Sequence, residues 1–232
     1  MVDRLRLSAI TVAAGSSTRT GFDKVLAQLA GEAVIKHSLC AFDRAASVDE
    51  IVVVVQPAKL DEVRALTKVI TKVSAVVAGG ERRQDSVEAG LSAVAGEFVA
   101  VHDAARPLIT PGEIERVFSA AQKHGAAVLA APVTDTLKTC DSQQFVSGSI
   151  DRANVFAMQT PQIFRRSLLL EAFGHVADRS LHITDEVSAV QLLGAKVAIV
   201  PAREHNMKIT FAGDLALAEF ILQSRHSERS LG

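Results

Sequence analysis

Short runs of β-branched and aliphatic residues alternate along the chain with stretches whose apolar positions recur at helical spacing. This alternation is the mark of βαβ units wound into a mostly parallel sheet. The runs predict strands over 7–12, 51–55, 73–77, 98–102, 126–131 and 195–200. Ile51-Val52-Val53-Val54-Val55 contains no polar residue, so burial on both faces is expected, as when helices cover both sides of a sheet.

Helix starts are marked by caps. Thr110-Pro111-Gly112-Glu113 offers a capping hydroxyl, a proline in the first turn and a glutamate three residues on, after which Ile114, Val117, Phe118 and Ala121 fall on one face. Asp85-Ser86-Val87-Glu88 repeats the capping logic, and Thr184-Asp185-Glu186 opens a third helix with an acidic first turn. Residues 133–156 break the alternation, being polar and without helical period, and read as an inserted β-arm on a single domain spanning 1–232. The end of the chain, residues 224–230, lacks an apolar period and is expected to fray.

A chain of 232 residues buries roughly 70% of its unfolded surface. Its core must be aliphatic, because Trp and Tyr are absent and ten Phe are the only large rings. The formal charge of −1 supplies no global field for nucleic acid or an acidic membrane, and aromatic platforms for stacking bases are scarce. Nucleic acid and membrane are therefore excluded as partners, and an anion site has to be local. Cys40 and Cys140 form no Cys-x-x-Cys pair and are expected to be buried thiols; the seven His show no zinc spacing. A charged N-terminus and the lack of an 18-residue apolar run imply a soluble, cytoplasmic protein.

Three loops carry candidate chemistry. The first strand runs into Ala13-Ala14-Gly15-Ser16-Ser17-Thr18-Arg19, where small residues let backbone N–H groups approach an anion, and Arg19 and Lys24 follow as cations. It is neither a Walker loop nor a dinucleotide fingerprint. Ala78-Gly79-Gly80-Glu81-Arg82-Arg83 repeats the pattern of strand end, glycines, cations and helix start. His102-Asp103-Ala104-Ala105-Arg106-Pro107 ends the fourth strand, where ligands of doubly wound sheets bind, and a lone Asp there suits Mg²⁺, which takes one or two carboxylates and completes its shell with phosphates and water.

Together these segments resemble the 2-C-methyl-D-erythritol 4-phosphate cytidylyltransferases, in order and spacing, over nearly the whole chain. The most specific parts are residues 102–107, Gly79-Gly80 through Ser86-Val87, Thr160-Pro161-Gln162, Ile183-Thr184-Asp185-Glu186 and Lys208-Ile209-Thr210. The resemblance implies a Rossmann-like doubly wound α/β fold of the nucleotidyltransferase type. It implies that Ala13, Ala14, Gly15, Gly80, Arg83, Ser86, Asp103 and Ala104 bind CTP, that Arg19, Lys24 and Lys208 are catalytic, and that Asp103 contacts Mg²⁺. Arg106 and Thr184 would line the polyol phosphate pocket. In this family the arm enters the neighbouring subunit, so Thr136 and Arg152 would complete a partner's site in a homodimer.

The first loop departs from the family pattern: position 17 is Ser, and Asp23-Lys24-Val25 stands where Pro-Lys-Gln is usual. Asp23 is expected to blunt the positive field beside Lys24 and weaken CTP binding or alter the path of the loop. The rival readings are a cytidylyltransferase for ribitol 5-phosphate or another polyol phosphate, and a noncatalytic nucleotide-binding protein.

Overall fold

The computed structural model describes residues 7–15, 22–179 and 181–230. In chain order its elements are β1 (Leu7–Ala13), the short pair β2 (Gln28–Leu29) and β3 (Glu32–Ala33), α1 (Val34–Arg44), β4 (Val48–Val55), α2 (Leu60–Thr67), β5 (Val73–Ala78), α3 (Arg83–Ala93), β6 (Phe98–Asp103), α4 (Pro111–His124) and β7 (Ala126–Pro132). There follow β8 (Leu137–Cys140), β9 (Val146–Ile150), β10 (Phe156–Arg165), α5 (Arg166–Asp178), α6 (Glu186–Leu192), β11 (Ala198–Pro201) and α7 (Gly213–Ser230).

Seven strands form one sheet in the order β11-β7-β10-β6-β1-β4-β5. All run parallel except β10, which is antiparallel to both β6 and β7. The period-2 alternation of a strand divides β4 between two cores: Ile51, Val53 and Val55 face α1, α2 and α4, while Val52 and Val54 face α3, α5 and α6. A third, smaller cluster under α7 joins Leu29, Val34, Leu108, Ile209 and Ala218.

α4 forms as its sequence requires. The Thr110 hydroxyl accepts a hydrogen bond from the Glu113 N–H, Ile114, Val117, Phe118 and Ala121 are buried, and Gly125 closes the helix at φ 84°.

Several expectations are corrected. Residues 156–165 form a central strand that the pattern concealed, because Gln159, Thr160, Pro161 and Gln162 interrupt its apolar run and proline argues against a central strand. The last strand begins at Ala198, three residues later than the run starting at 195. Asp85 is the third residue of α3, where its carboxylate accepts from the Arg82 N–H, so the helix starts earlier than a cap at Asp85 would place it. Residues 224–230 continue α7; Arg225 donates to the carbonyls of Leu108 and His205 and pairs with Glu204, which tethers the final turns. Cys140 lies exposed on the β8-β9 hairpin and Cys40 is half-buried. The hairpin has no core of its own: Phe145, Val146 and Ile150 stand exposed along it.

Candidate active site

The chain leaves β1 for β4 and β5 on one side and returns to place β6 on the other, so the carboxyl ends of β1 and β6 flank a topological switch point. Crevices at such points are where ligands bind in open α/β sheets. Val12 of β1 lies directly opposite Asp103 of β6, and Gly79, just past β5, is bound through its N–H to the Val55 carbonyl at the end of β4. The three loops singled out in the sequence therefore open on one edge.

They enclose a cleft of about 290 Å³. Of the residues expected to bind nucleotide or act on it, Ala13, Ala14, Gly15, Lys24, Gly80, Arg83, Ser86, Asp103 and Lys208 all line it. Arg19 lies outside the described residues. Ala104 turns away: it is fully buried, its N–H is bound to the Val12 carbonyl and its own carbonyl accepts from Ser38, so Ala105 lines the cleft in its place.

The two glycine-bearing loops meet at van der Waals limits. A Cβ on Gly79 would stand 2.5 Å from the Ala14 Cβ and 2.7 Å from the Ser86 Oγ. Gly79→Ala is expected to cost about 1–3 kcal/mol of stability by overpacking and to weaken nucleotide binding, because Ala14 and Ser86 themselves form the cleft wall. Chemical denaturation and a CTP titration on the same preparation check both effects.

Asp103 is the focus of the charge arrangement. Lys208 Nζ lies 2.7 Å from its Oδ2, Arg83 Nη2 is 3.4 Å from its Oδ1, and Arg106 Nε is 3.8 Å from Oδ2. Burial works to raise the Asp103 pKa, but the positive charges of Lys208 and Arg83 overrule it and hold the carboxyl well below the usual range. Arg106 is itself lowered by burial, and its guanidinium donates to the Asn206 carbonyl at 2.9 Å.

The backbone beneath Asp103 is fixed by a chain of hydrogen bonds. The Asp103 N–H donates to the Thr160 hydroxyl at 3.0 Å, and that hydroxyl lies 3.0 Å from His102 Nδ1. His102 Nε2 lies 3.3 Å from the Arg106 carbonyl, which can only accept, so Nε2 carries the proton and Nδ1 receives the Thr160 O–H. Burial pushes the His102 pKa down to about 3, which keeps the ring neutral in this role.

Asp23 does not face the cleft as a loose charge. Its carboxylate pairs with Lys59 at 2.6 Å and accepts from the N–H groups of Val25 and Leu26, so it is spent on the turn that carries Lys24. Thr184 is exposed at the start of α6, within 3.2 Å of the Ser188 hydroxyl. Thr136 and Arg152 lie on the arm, where Arg152 donates to the Thr134 carbonyl; neither lines the cleft of its own chain.

The sequence reading missed Glu186 as a site residue. It pairs with Arg83 behind the cleft and is almost fully buried. Its signal was available: it shares one helical face with Ala189 and Val190, and an acid on an apolar face demands a partner. Gln162 and Asn206, both buried, were likewise unforeseen. Gln162 joins Asp185 and the Val187 N–H, and Asn206 donates to the Thr160 carbonyl.

Solved structures share this architecture. One from Thermus thermophilus, described as 2-C-methyl-D-erythritol 4-phosphate cytidylyltransferase, is 33% identical with a TM-score of 0.78, covering 92% of this chain and 98% of that one. Another, a 4-diphosphocytidyl-2C-methyl-D-erythritol synthase from Anaerococcus prevotii, is 27% identical with a TM-score of 0.85, covering 96% and 98%. The mostly parallel sheet with its cationic cleft at the switch point defines an α/β protein of the nucleotidyltransferase type.

The family model for 2-C-methyl-D-erythritol 4-phosphate cytidylyltransferase matches residues 7–224. A protein of that description from Pelotomaculum thermopropionicum is 40% identical over 95% of both chains. The chain also matches the bifunctional enzyme IspD/IspF of an Anaeromyxobacter strain at 43% identity; it spans only 59% of that relative's length, and 97% of its own. The chain belongs to the 2-C-methyl-D-erythritol 4-phosphate cytidylyltransferase family.

Proposed function

We propose that the cleft is where CTP and 2-C-methyl-D-erythritol 4-phosphate react, the chain transferring CMP to the polyol phosphate and releasing pyrophosphate. The observation that carries this reading is the convergence of Lys24, Arg82, Arg83 and Lys208 on one small cleft, against the two acids Asp103 and Glu81 and beside the small-residue loop 13–15. In an overall charge of −1 this local excess of cations has to answer to an anionic ligand.

The nucleophile is an oxygen of the substrate's phosphate monoester, whose second pKa is about 6, so it arrives ionised and no general base is required. It attacks the α-phosphorus of CTP in line; the new P–O bond forms as the bond to the β-phosphate oxygen breaks, and the electron pair departs with pyrophosphate. The obstacle is repulsion between a polyanionic nucleotide and a dianion, which positioned cations remove. Lys208 exchanges Asp103 for the α-phosphate, Lys24 acts from the same cleft as the backbone of residues 13–15, and Arg19 follows that segment in the sequence. Arg106 and Thr184 bind the polyol phosphate.

The donor set suits a magnesium ion. Asp103 is held ionised, and one carboxylate with substrate phosphates and water is the coordination this ion favours. Asp103 would hold it, and when bound it neutralises phosphate charge.

The exposed apolar side chains of the β8-β9 arm, Phe145, Val146 and Ile150, favour a homodimer in which Thr136 and Arg152 reach the partner's site. Two free thiols suit a reducing, cytoplasmic setting, and no helix among the described residues is long and apolar enough to cross a membrane.

The test is pyrophosphate release from CTP with 2-C-methyl-D-erythritol 4-phosphate or ribitol 5-phosphate, each with Mg²⁺ and with a chelator. Turnover of the methylerythritol phosphate that is lost on chelation is expected. Preference for ribitol 5-phosphate, or CTP binding without release, would overturn the reading.

A further inference from the structure

Glu186 is the first residue of α6, and its side chain is only 1% exposed. Burying a carboxylate is unfavourable unless strong partners compensate. Its neighbours on the same face, Ala189 and Val190, show that an apolar residue packs there without that cost. Oε1 accepts from Arg83 Nη1, while Oε2 has no hydrogen-bond partner among the described residues.

The same guanidinium reaches the cleft with its other arm, Nη2 lying 3.4 Å from Asp103 Oδ1. Arg83 therefore bridges a buried carboxyl behind the site, whose pKa burial raises while the Arg83 charge pulls it back, and the anion on the floor of the cleft. Burial alone would lower the Arg83 pKa, but the charges of Glu186 and Asp103 raise it, so the bridge stays cationic. Glu186 cannot drift to follow it. Gln162 of β10 donates to the Asp185 carboxylate at 3.1 Å and accepts from the Val187 N–H at 3.2 Å, gripping α6 on both sides of Glu186.

A guanidinium is a planar fork, and with only Asp103 for a partner it would turn both arms onto that carboxylate. Asp103 would then be less open to Lys208 and to a cation, and the charge of Arg83 would be withdrawn from the ligand. We propose that Glu186 is a positioning residue of the nucleotide site, pinning one arm of Arg83 so that its charge faces the cleft instead of collapsing onto Asp103. The inference rests on the reading of this cleft as the CTP site.

The test is a double-mutant cycle of Glu186→Gln and Arg83→Gln, with CTP Kd read by calorimetry on the full chain. Glu186→Gln alone is expected to raise the CTP Kd about tenfold, and to leave the KM for the polyol phosphate within about twofold. In the Arg83→Gln background the same change should move the CTP Kd by less than about twofold, since the residue acts only through Arg83. An unchanged Kd in Glu186→Gln overturns the proposal, as does an equal loss in both backgrounds, the outcome of a merely structural role. If Glu186→Gln fails to fold, the double variant decides: folding supports the proposal, because the unpaired buried charge is gone, and failure to fold overturns it. Absence of CTP binding by the unaltered chain would instead overturn the functional reading, and this inference with it.

Discussion

Lys208→Ala is expected to lower kcat by on the order of 10²-fold or more while leaving the fold intact, as removal of a charge-stabilising donor does. The Lys208 side chain is the most exposed of the cations around Asp103, at 40%, yet its ammonium lies 2.7 Å from the carboxylate, so it can exchange that partner for a phosphate without rebuilding the site. Its backbone is held independently of its side chain. The Ile209 N–H donates to the Ala105 carbonyl at 2.7 Å, Ile209 is fully buried, and Asn206 is fixed to Thr160. Loss of activity in the alanine variant thus reports charge, not folding, and Lys208→Arg should recover part of it. Steady-state kinetics on both variants, with a thermal melt as control, is the check. Near-normal turnover in Lys208→Ala would remove this residue from the chemistry.

Asp103→Asn should abolish turnover to a similar or greater degree, on the order of 10²–10³-fold, for a different reason. The change removes the carboxylate proposed for magnesium and leaves Lys208, Arg83 and Arg106 without their common counter-charge. Removing one partner of a buried pair costs up to about 3–5 kcal/mol. The lower end applies here, because Arg83 keeps Glu186 and Lys208 reaches solvent. A triphosphate can replace the missing anion. CTP is accordingly expected to raise the melting temperature of the variant more than that of the unaltered chain, although the variant turns over little. Equal shifts in the two proteins would separate Asp103 from the phosphate site.

Of the two residues, Asp103 has chemistry that is visible in the sequence and company that is not. Asp103 follows a strand-forming run, Lys24 follows a small-residue loop, and Arg83 follows paired glycines. Local signals of that kind place a group at a strand end, and a doubly wound sheet gathers strand ends on one edge. Lys208 had no such signal. It follows the last strand in an irregular segment and was marked only by family resemblance, yet it meets Asp103 across 105 residues.

The sequence by itself determined the alternation of strand and helix, the double-sided burial of β4, the cap of α4 and the place where an anion site had to form. These follow from periodicity and capping, which act over a few residues. Only the tertiary structure decided that residues 156–165 insert antiparallel between β6 and β7, and that Arg83 spans Asp103 and a buried Glu186 lying 103 residues away. It also decided that Ala105 lines the cleft in place of Ala104. Strand order and ion pairing are set by long-range packing and by the need of every buried charge for a partner. Neither leaves a period in the chain.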